Sequence, residues 1–193
     1  MQMNEWDASS LIAFEEQVAE SFNSGQIRAP VHLYSGNEES LLQVFEKIRP
    51  EDWVFCSWRS HYQCLLKGVL SDVLLDEIKA GKSISLNFKD YKVFSSAIVT
   101  GHILIAVGVA LKNKLQNKEG HVYCFVGDMT SETGCFSENY KYAINFNLPI
   151  TFVIENNSKS GCTDTLKTWN QFKLTHHSGM NKIIYYEYEN KYP

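Results

Sequence analysis

HVYCFVGDMTSETGCFSENYKYAINFNLPITFVIENN, residues 121–157, holds two short apolar runs, Val122–Val126 and Ile150–Ile154. Each run ends in a polar cluster, Gly127-Asp128 after the first and Glu155-Asn156-Asn157 after the second. Between them Phe136, Tyr140, Ala143 and Ile144 recur at helical spacing. Strand, helix, strand is the expected order, and a right-handed crossover lays the two strands parallel in one sheet. Both polar clusters then stand at carboxyl ends of strands, where open α/β sheets hold ligands. Asp128 offers an anionic oxygen there and the side chain of Asn157 a neutral one. Such hard oxygens suit Mg²⁺, which commonly takes a carboxylate or two, waters and substrate phosphates. Gly127 permits a tight turn and a close approach of phosphate to the backbone.

Working outward, the chain divides into further elements of the same kind. Leu11, Phe14, Val18, Ala19 and Phe22 predict a helix over 6–24, capped by Asp7 or Ser9 and stopped at Gly25. Leu41, Leu42, Val44, Phe45 and Ile48 predict another that enters near Gly36. Trp53–Ser57 reads as a buried strand ending at Trp58-Arg59-Ser60-His61, a second ligand-side position, followed by a helix through Leu65, Leu66 and Val69. Residues 71–82 form a short helix, 83–95 a loop, and 96–116 an apolar helix with small residues at Ala106, Gly108 and Ala110, as at a subunit interface. Ile183–Tyr188 reads as a last strand.

Composition limits the function. The 193 residues fit one domain with a sizeable core, 44% apolar and 21% charged as in globular proteins. A net charge of −4 without any basic run argues against nucleic acid as partner. No apolar stretch is long enough to span a bilayer, and the polar, acidic N-terminus differs from a signal peptide, so a cytoplasmic, membrane-free protein is expected. The five cysteines lack C-x-x-C spacing and read as reduced, mostly core residues.

Gly127-Asp128, the 26 residues Thr130–Glu155, and Asn156-Asn157 resemble the GDG…NN signature of thiamine diphosphate enzymes, with Met129 at the third motif position in place of Gly. The run Glu132–Glu138, Leu148-Pro149 and Glu155-Asn156-Asn157 narrow the likeness to the α subunit of the E1 component of 2-oxoacid dehydrogenases. The resemblance covers roughly Pro30–Asp164. It implies an α/β, three-layer thiamine diphosphate-binding fold, with a mainly parallel central sheet flanked by helices. Residues 1–193 would then be a single diphosphate-binding domain.

It also implies a site. Asp128, Asn157 and the main-chain carbonyl of Lys159 would hold Mg²⁺. Trp58, Arg59, Gly127, Asp128, Met129 and Asn157 would meet thiamine diphosphate, with Arg59 on its diphosphate, and Val99 would support its bent conformation. His61 would either lie near the reacting carbon as the catalytic residue or be a hydrogen-bonded structural histidine. His102 replaces the family's Gln at the opening of the apolar helix. Glu38 is not read as the activating glutamate, because in two-chain E1 enzymes that residue belongs to the partner. It is either a carboxylate at a helix N-terminus or an interface residue.

Full E1 α subunits continue past this chain's length into a loop bearing a catalytic histidine, for which His176 or His177 is a weak substitute. The expected partner is a pyrimidine-binding, β-type subunit, as a heterotetramer, and the expected substrate a small 2-oxoacid or ketose. Three functions follow: a 2-oxoacid decarboxylase that passes on the acyl or aldehyde unit, half of a split transketolase-like C–C ligase or ketol transferase, or a non-catalytic scaffolding relic.

Overall fold

The computed structural model describes residues 6–170 and 180–192, so His176 and His177 lie outside the described residues. Helix α1 (Ala8–Asn23) starts at Asp7, whose carboxylate accepts the Ser10 N–H while the Ser10 hydroxyl accepts the Asp7 N–H. That reciprocal capping satisfies two donors that the first turn leaves open. Helix α2 (Glu38–Phe45), strand β1 (Trp53–Cys56), α3 (His61–Leu66) and α4 (Ser71–Glu77) follow, and an irregular turn at Ile78–Lys82 completes the helical stretch. Next come β2 (Asn87–Phe88), β3 (Val93–Ser95), α5 (Gly101–Leu115), β4 (Val122–Gly127), α6 (Asp128–Ser131), α7 (Gly134–Asn145) and β5 (Ile150–Asn156). The hairpin β6 (Lys159–Ser160) and β7 (Thr163–Asp164), the turn α8 (Thr165–Thr168) and β8 (Ile183–Glu187) complete the order.

The main sheet runs β2-β3-β1-β4-β5-β8, and only the short β2–β3 pair is antiparallel. Alternate residues of its inner strands enter two separate cores. Val54, Cys56, Tyr123, Phe125 and Val153 pack with Leu11, Phe14, Val18, Leu41 and Leu65 on one face. Phe55, Val122, Cys124, Val126, Phe152 and Ile154 pack with Ile103, Ala106, Ala110, Phe136 and Ala143 on the other. Helices therefore cover both faces, which is why these strands are continuous apolar runs rather than alternating ones. The three-layer α/β arrangement with a mainly parallel sheet is the one expected from the sequence.

One element differs. Residues 83–95 hold two strands instead of a loop, and β3 is an inner strand pairing parallel with β1 from Val54↔Val93 to Cys56↔Ser95. Three residues are too few to show a period; burial of Val93 and the β1 ladder define the strand, and both come from tertiary structure.

Strand order places the site. From β1 the chain moves to β3 on one side; from β3 it returns through α5 to β4 on the other side of β1. The connections leaving β1 and leaving β4 therefore run in opposite directions and open a crevice at the carboxyl ends of these neighbours. The amino ends are closed by Lys67, whose buried ammonium donates to the carbonyls of Arg49, Pro50 and Asp52 at 3.1, 3.1 and 2.8 Å. Among the described residues no helix is long and apolar enough to cross a membrane, and all five cysteines are free.

Candidate functional site

The crevice is a cleft with about 420 Å³ of unfilled space, part of it open to solvent. Ser57, Trp58 and Arg59 reach it from the end of β1, Gly127 and Met129 from β4, Glu155 and Asn157 from β5. Lys159 and Ser160 of the hairpin and Tyr188 after β8 complete its walls. The structure thus brings Trp58, Arg59, Gly127, Met129, Asn157 and Lys159 together around one space. Asp128, between the lining residues Gly127 and Met129 in the chain, is fully buried at the start of α6 and is not itself part of the cleft surface.

The Asp128 carboxylate is half satisfied. Oδ2 accepts the Thr165 hydroxyl at 2.5 Å, whereas the buried Oδ1 has no hydrogen-bond partner among the described residues. Burial raises its pKa; the Thr165 hydroxyl and the nearby amides of Asn157 and Met129 pull the other way without prevailing. These amides make no bond of hydrogen-bond geometry to Oδ1, and burying such an oxygen is costly, a cost that a cation would remove. Asn157 is half-buried, and its Oδ1 accepts the Lys159 N–H at 3.2 Å, leaving lone-pair capacity on the same amide. Gly127 has φ −72°, and a β-carbon built there meets nothing within 4 Å. Neither its backbone nor the packing of this chain demands glycine, so the open space fits a ligand that approaches the main chain. Among the described residues no group of three or more His, Cys, Asp or Glu could hold a metal. The Asp128 carboxylate and the Asn157 amide are by their own chemistry hard oxygen donors, and they fit Mg²⁺ that brings its other oxygen ligands with a diphosphate.

Arg59 is buried in the cleft wall, its Nε–H donating to the Leu33 carbonyl at 3.1 Å. Beside it the Trp58 indole N–H is a buried donor with no acceptor among the described residues. The cleft wall also holds a buried carboxylate, that of Glu155. Glu155 accepts the Tyr34 hydroxyl at 2.9 Å, the Asn37 amide at 3.4 Å and the Tyr186 hydroxyl. Tyr34 also takes a bond from the Gln63 amide at 2.6 Å and stacks on Tyr62 with centroids 5.1 Å apart.

Burial pushes the Glu155 carboxyl from 4.5 up to about 7; the hydroxyl donors and the Arg59 charge offset only part of that rise. A raised folded pKa means stability that is complete below pH 4.5 and lost as pH rises through about 7. The slope between those values is about 1.4 kcal/mol per pH unit. Glu155→Gln keeps one oxygen acceptor, sets an N–H₂ group against the second tyrosine hydroxyl, and removes the titration. Denaturant melts between pH 5 and 8 should therefore show a flatter stability profile for Glu155→Gln than for the parent. Identical profiles would mean that Glu155 does not ionise on this scale.

Two of the expected site residues stand elsewhere. His61 is fully buried at the start of α3, its Nδ1 3.1 Å from both Glu15 oxygens and its Nε2 2.9 Å from Ser83 Oγ. It does not line the cleft, and its surroundings are those of the structural histidine that the sequence left as the other option. The signal was Glu15, a carboxylate inside the apolar stripe Leu11-Phe14-Val18 of α1, which needed a buried partner. Val99 is about half exposed, in the turn before α5 that also carries the exposed Ile98, and it too is absent from the cleft walls. His102 Nε2 donates to the Phe125 carbonyl at 2.8 Å, and burial lowers its pKa to about 4, so it is neutral. Glu38 opens α2 and accepts the Gly36 N–H and the Tyr62 hydroxyl, both at 3.0 Å, as a helix N-terminal carboxylate does. Tyr34, Tyr188 and Thr165 were not anticipated.

Comparison with known proteins agrees with this geometry. The family model described as dehydrogenase E1 component matches residues 7–180. The α subunit of acetoin:2,6-dichlorophenolindophenol oxidoreductase from Bacillus subtilis is 33% identical over 160 residues, covering 78% of this chain and 48% of the relative. Its counterpart from Cupriavidus necator is 31% identical over 160 residues, with the same coverage of 78% and 48%. The pyruvate dehydrogenase E1 component α subunit of Porphyra purpurea is 29% identical over 166 residues, covering 75% of this chain and 47% of the relative. The chain spans about half the length of these curated relatives. With the match of the family model running over most of its residues, and with Asp128, Asn157 and Arg59 gathered at one crevice, the chain belongs to the dehydrogenase E1 component family.

Proposed function

We propose that this chain is the diphosphate- and Mg²⁺-binding part of a two-chain thiamine diphosphate-dependent enzyme. Its reaction would cleave a carbon–carbon bond next to a carbonyl, as in decarboxylation of a 2-oxoacid, and pass on the acyl or aldehyde unit. The observation that carries the reading is the buried Oδ1 of Asp128, without a partner among the described residues, next in the chain to Gly127 and Met129 of the cleft that Asn157 lines. Family membership supports it. The relatives' names, pyruvate dehydrogenase and acetoin oxidoreductase, favour this chemistry over ketol transfer between sugars.

The residues divide the work. Asp128 and the Asn157 amide would hold the cation, with the Lys159 carbonyl beside them at the cleft. Arg59, already fixed through its Nε, would set positive charge against the diphosphate, where its planar fork suits phosphate oxygens. Trp58 supplies an aromatic wall and a donor, and Gly127 the open backbone. Met129, a side chain where the family has none, narrows the space over the same turn. Thiamine diphosphate, when bound, supplies the electron sink for the bond that breaks.

Among the described residues the cleft offers no histidine, since His61 is sealed behind Glu15 and Ser83. Activation of the cofactor would therefore fall to a carboxylate on a pyrimidine-binding partner, most simply in a heterotetramer. Calorimetry of Mg²⁺ and thiamine diphosphate against the chain with its partner should show binding that EDTA abolishes. Turnover of a 2-oxoacid by the chain alone should be at least about 100-fold below that of the pair, since a positioned acid–base group is worth that much. Absence of metal-dependent binding in the complex would leave the scaffolding reading; full activity of the lone chain would refute the division of labour.

A further inference from the structure

Asp128 is gripped from the far side of the chain's own ligand loop. After Asn157 the backbone turns at Ser158, whose N–H donates to Asn156 Oδ1 at 2.8 Å. It runs out and back as the β6–β7 hairpin, with Lys159 opposite Asp164. It then re-enters the protein at Thr165, which is fully buried, and whose N–H donates to the Ser158 carbonyl at 3.1 Å. The Asp164 carboxylate accepts the Lys167 N–H at 2.8 Å and fixes the turn that presents Thr165. The hydroxyl of Thr165 then makes its bond to Asp128 Oδ2 at 2.5 Å, and Oδ1 has no hydrogen-bond partner among the described residues. Main-chain amides of Asn157 and Met129 also act on this carboxylate, but Thr165 is its side-chain donor among the described residues, and that donor holds Oδ2.

We propose that Thr165 is a positioning residue. Its hydroxyl locks the Asp128 carboxylate in the orientation that reserves Oδ1 for the divalent cation, and it couples that orientation to the hairpin whose Lys159 and Ser160 line the cleft. This inference rests on the Mg²⁺ and diphosphate reading above. It adds a residue outside the motif that carried that reading. Outer-shell groups of this kind orient ligating carboxylates and are commonly worth ten- to hundredfold in metal affinity.

The test uses the full chain in its complex with the partner, Mn²⁺ as the probe, thiamine diphosphate at fixed concentration, and free Mn²⁺ read by electron paramagnetic resonance. Thr165→Val keeps the shape and removes the donor; Mn²⁺ affinity should fall by about tenfold or more. Thr165→Ser keeps the donor and should stay within about threefold of the parent. Thermal melts without metal separate loss of fold from loss of binding, and Thr165→Ala takes the place of the valine variant if that one does not fold. A valine or alanine variant that binds Mn²⁺ as the parent does overturns the role of Thr165 and leaves the cofactor reading intact. So does a serine variant as weak as the valine one, since packing rather than the hydroxyl would then matter. Failure of the parent complex itself to bind Mn²⁺ with thiamine diphosphate overturns the cofactor reading, and this inference with it.

Discussion

Asp128→Asn is expected to lower the affinity for Mg²⁺ and thiamine diphosphate by at least about 100-fold, beyond what an outer-shell partner of a metal is worth. The same substitution should raise the melting temperature of the metal-free protein at neutral pH by roughly 2–4 °C, the shift that about 1 kcal/mol produces at this chain length. The opposite signs have one cause. Asp128 is buried with one oxygen unpartnered, so without a cation its charge opposes folding. Asparagine removes the charge and keeps an oxygen for the Thr165 hydroxyl. It also brings an amide N–H₂ that needs an acceptor, a smaller cost than an unpaired carboxylate.

The pH dependence follows the same sign. Burial lifts the folded Asp128 carboxyl above 3.8, so its contribution to stability is complete below that value and is lost as pH rises through the raised one. The advantage of the asparagine variant should therefore grow with pH across that window and vanish when Mg²⁺ and cofactor are present. Paired melts with and without metal, at several pH values, check both halves. A metal-free asparagine variant less stable than the parent at every pH would show that the carboxylate is a structural acceptor instead of a ligand in waiting.

Much of this arrangement was legible before any coordinates, because two-sided burial leaves a plain record. The inner strands had to be apolar throughout, so Val122–Val126 and Ile150–Ile154 stood out, and the first polar residue after each marked a strand end. Arg59 and Trp58 followed from the same logic at the end of β1. What stayed hidden depends on which distant segment supplies a partner. Tyr188 reaches the cleft because β8 pairs parallel with β5, and nothing local to Tyr188 says so. Tyr34 sits outside any strand or helix, and its hydroxyl meets Glu155 across a separation of 121 residues. His61 follows a strand end as a ligand would, yet the first turn of α3 carries it into the core toward Glu15, a direction that strand-end logic does not give.

The segment after β8 that carries Tyr188 depends on one glycine, and Gly36→Ala should be the most disruptive added methyl among the glycines whose surroundings are described. Gly36 has φ +85°, and a β-carbon there would lie 2.2 Å from the backbone carbonyl oxygen of Glu189 and 3.2 Å from its carbon. The left-handed backbone alone costs alanine roughly 1–2 kcal/mol. The clash cannot be relieved by a rotamer, because both parties are main chain. Either the turn at Gly36 deforms, pulling on Tyr34 and Glu38 around it, or the segment after β8 lets go. Among the described bonds, that segment is held by Tyr188 N–H to the Asn156 carbonyl at 2.9 Å, Ser35 hydroxyl to Asn190 at 2.9 Å and Lys191 N–H to Ser35 at 2.8 Å. At about 1 kcal/mol net for each, releasing them costs on the order of 3 kcal/mol. Deforming the turn would disturb the buried bonds of Glu38 and Tyr62 and leave polar groups unsatisfied, which is the more expensive route. Release of residues 188–192 should therefore win, and Tyr188 would leave the cleft wall. Hydrogen exchange should then show Tyr188 losing protection while β4 and β5 keep theirs, and affinity for thiamine diphosphate should drop by about tenfold, as when a well-packed anchor of a binding site is truncated. Unchanged protection at Tyr188 with a lowered melting temperature would place the strain in the turn, and an unchanged melt would mean that the Gly36–Glu189 contact is not formed in solution.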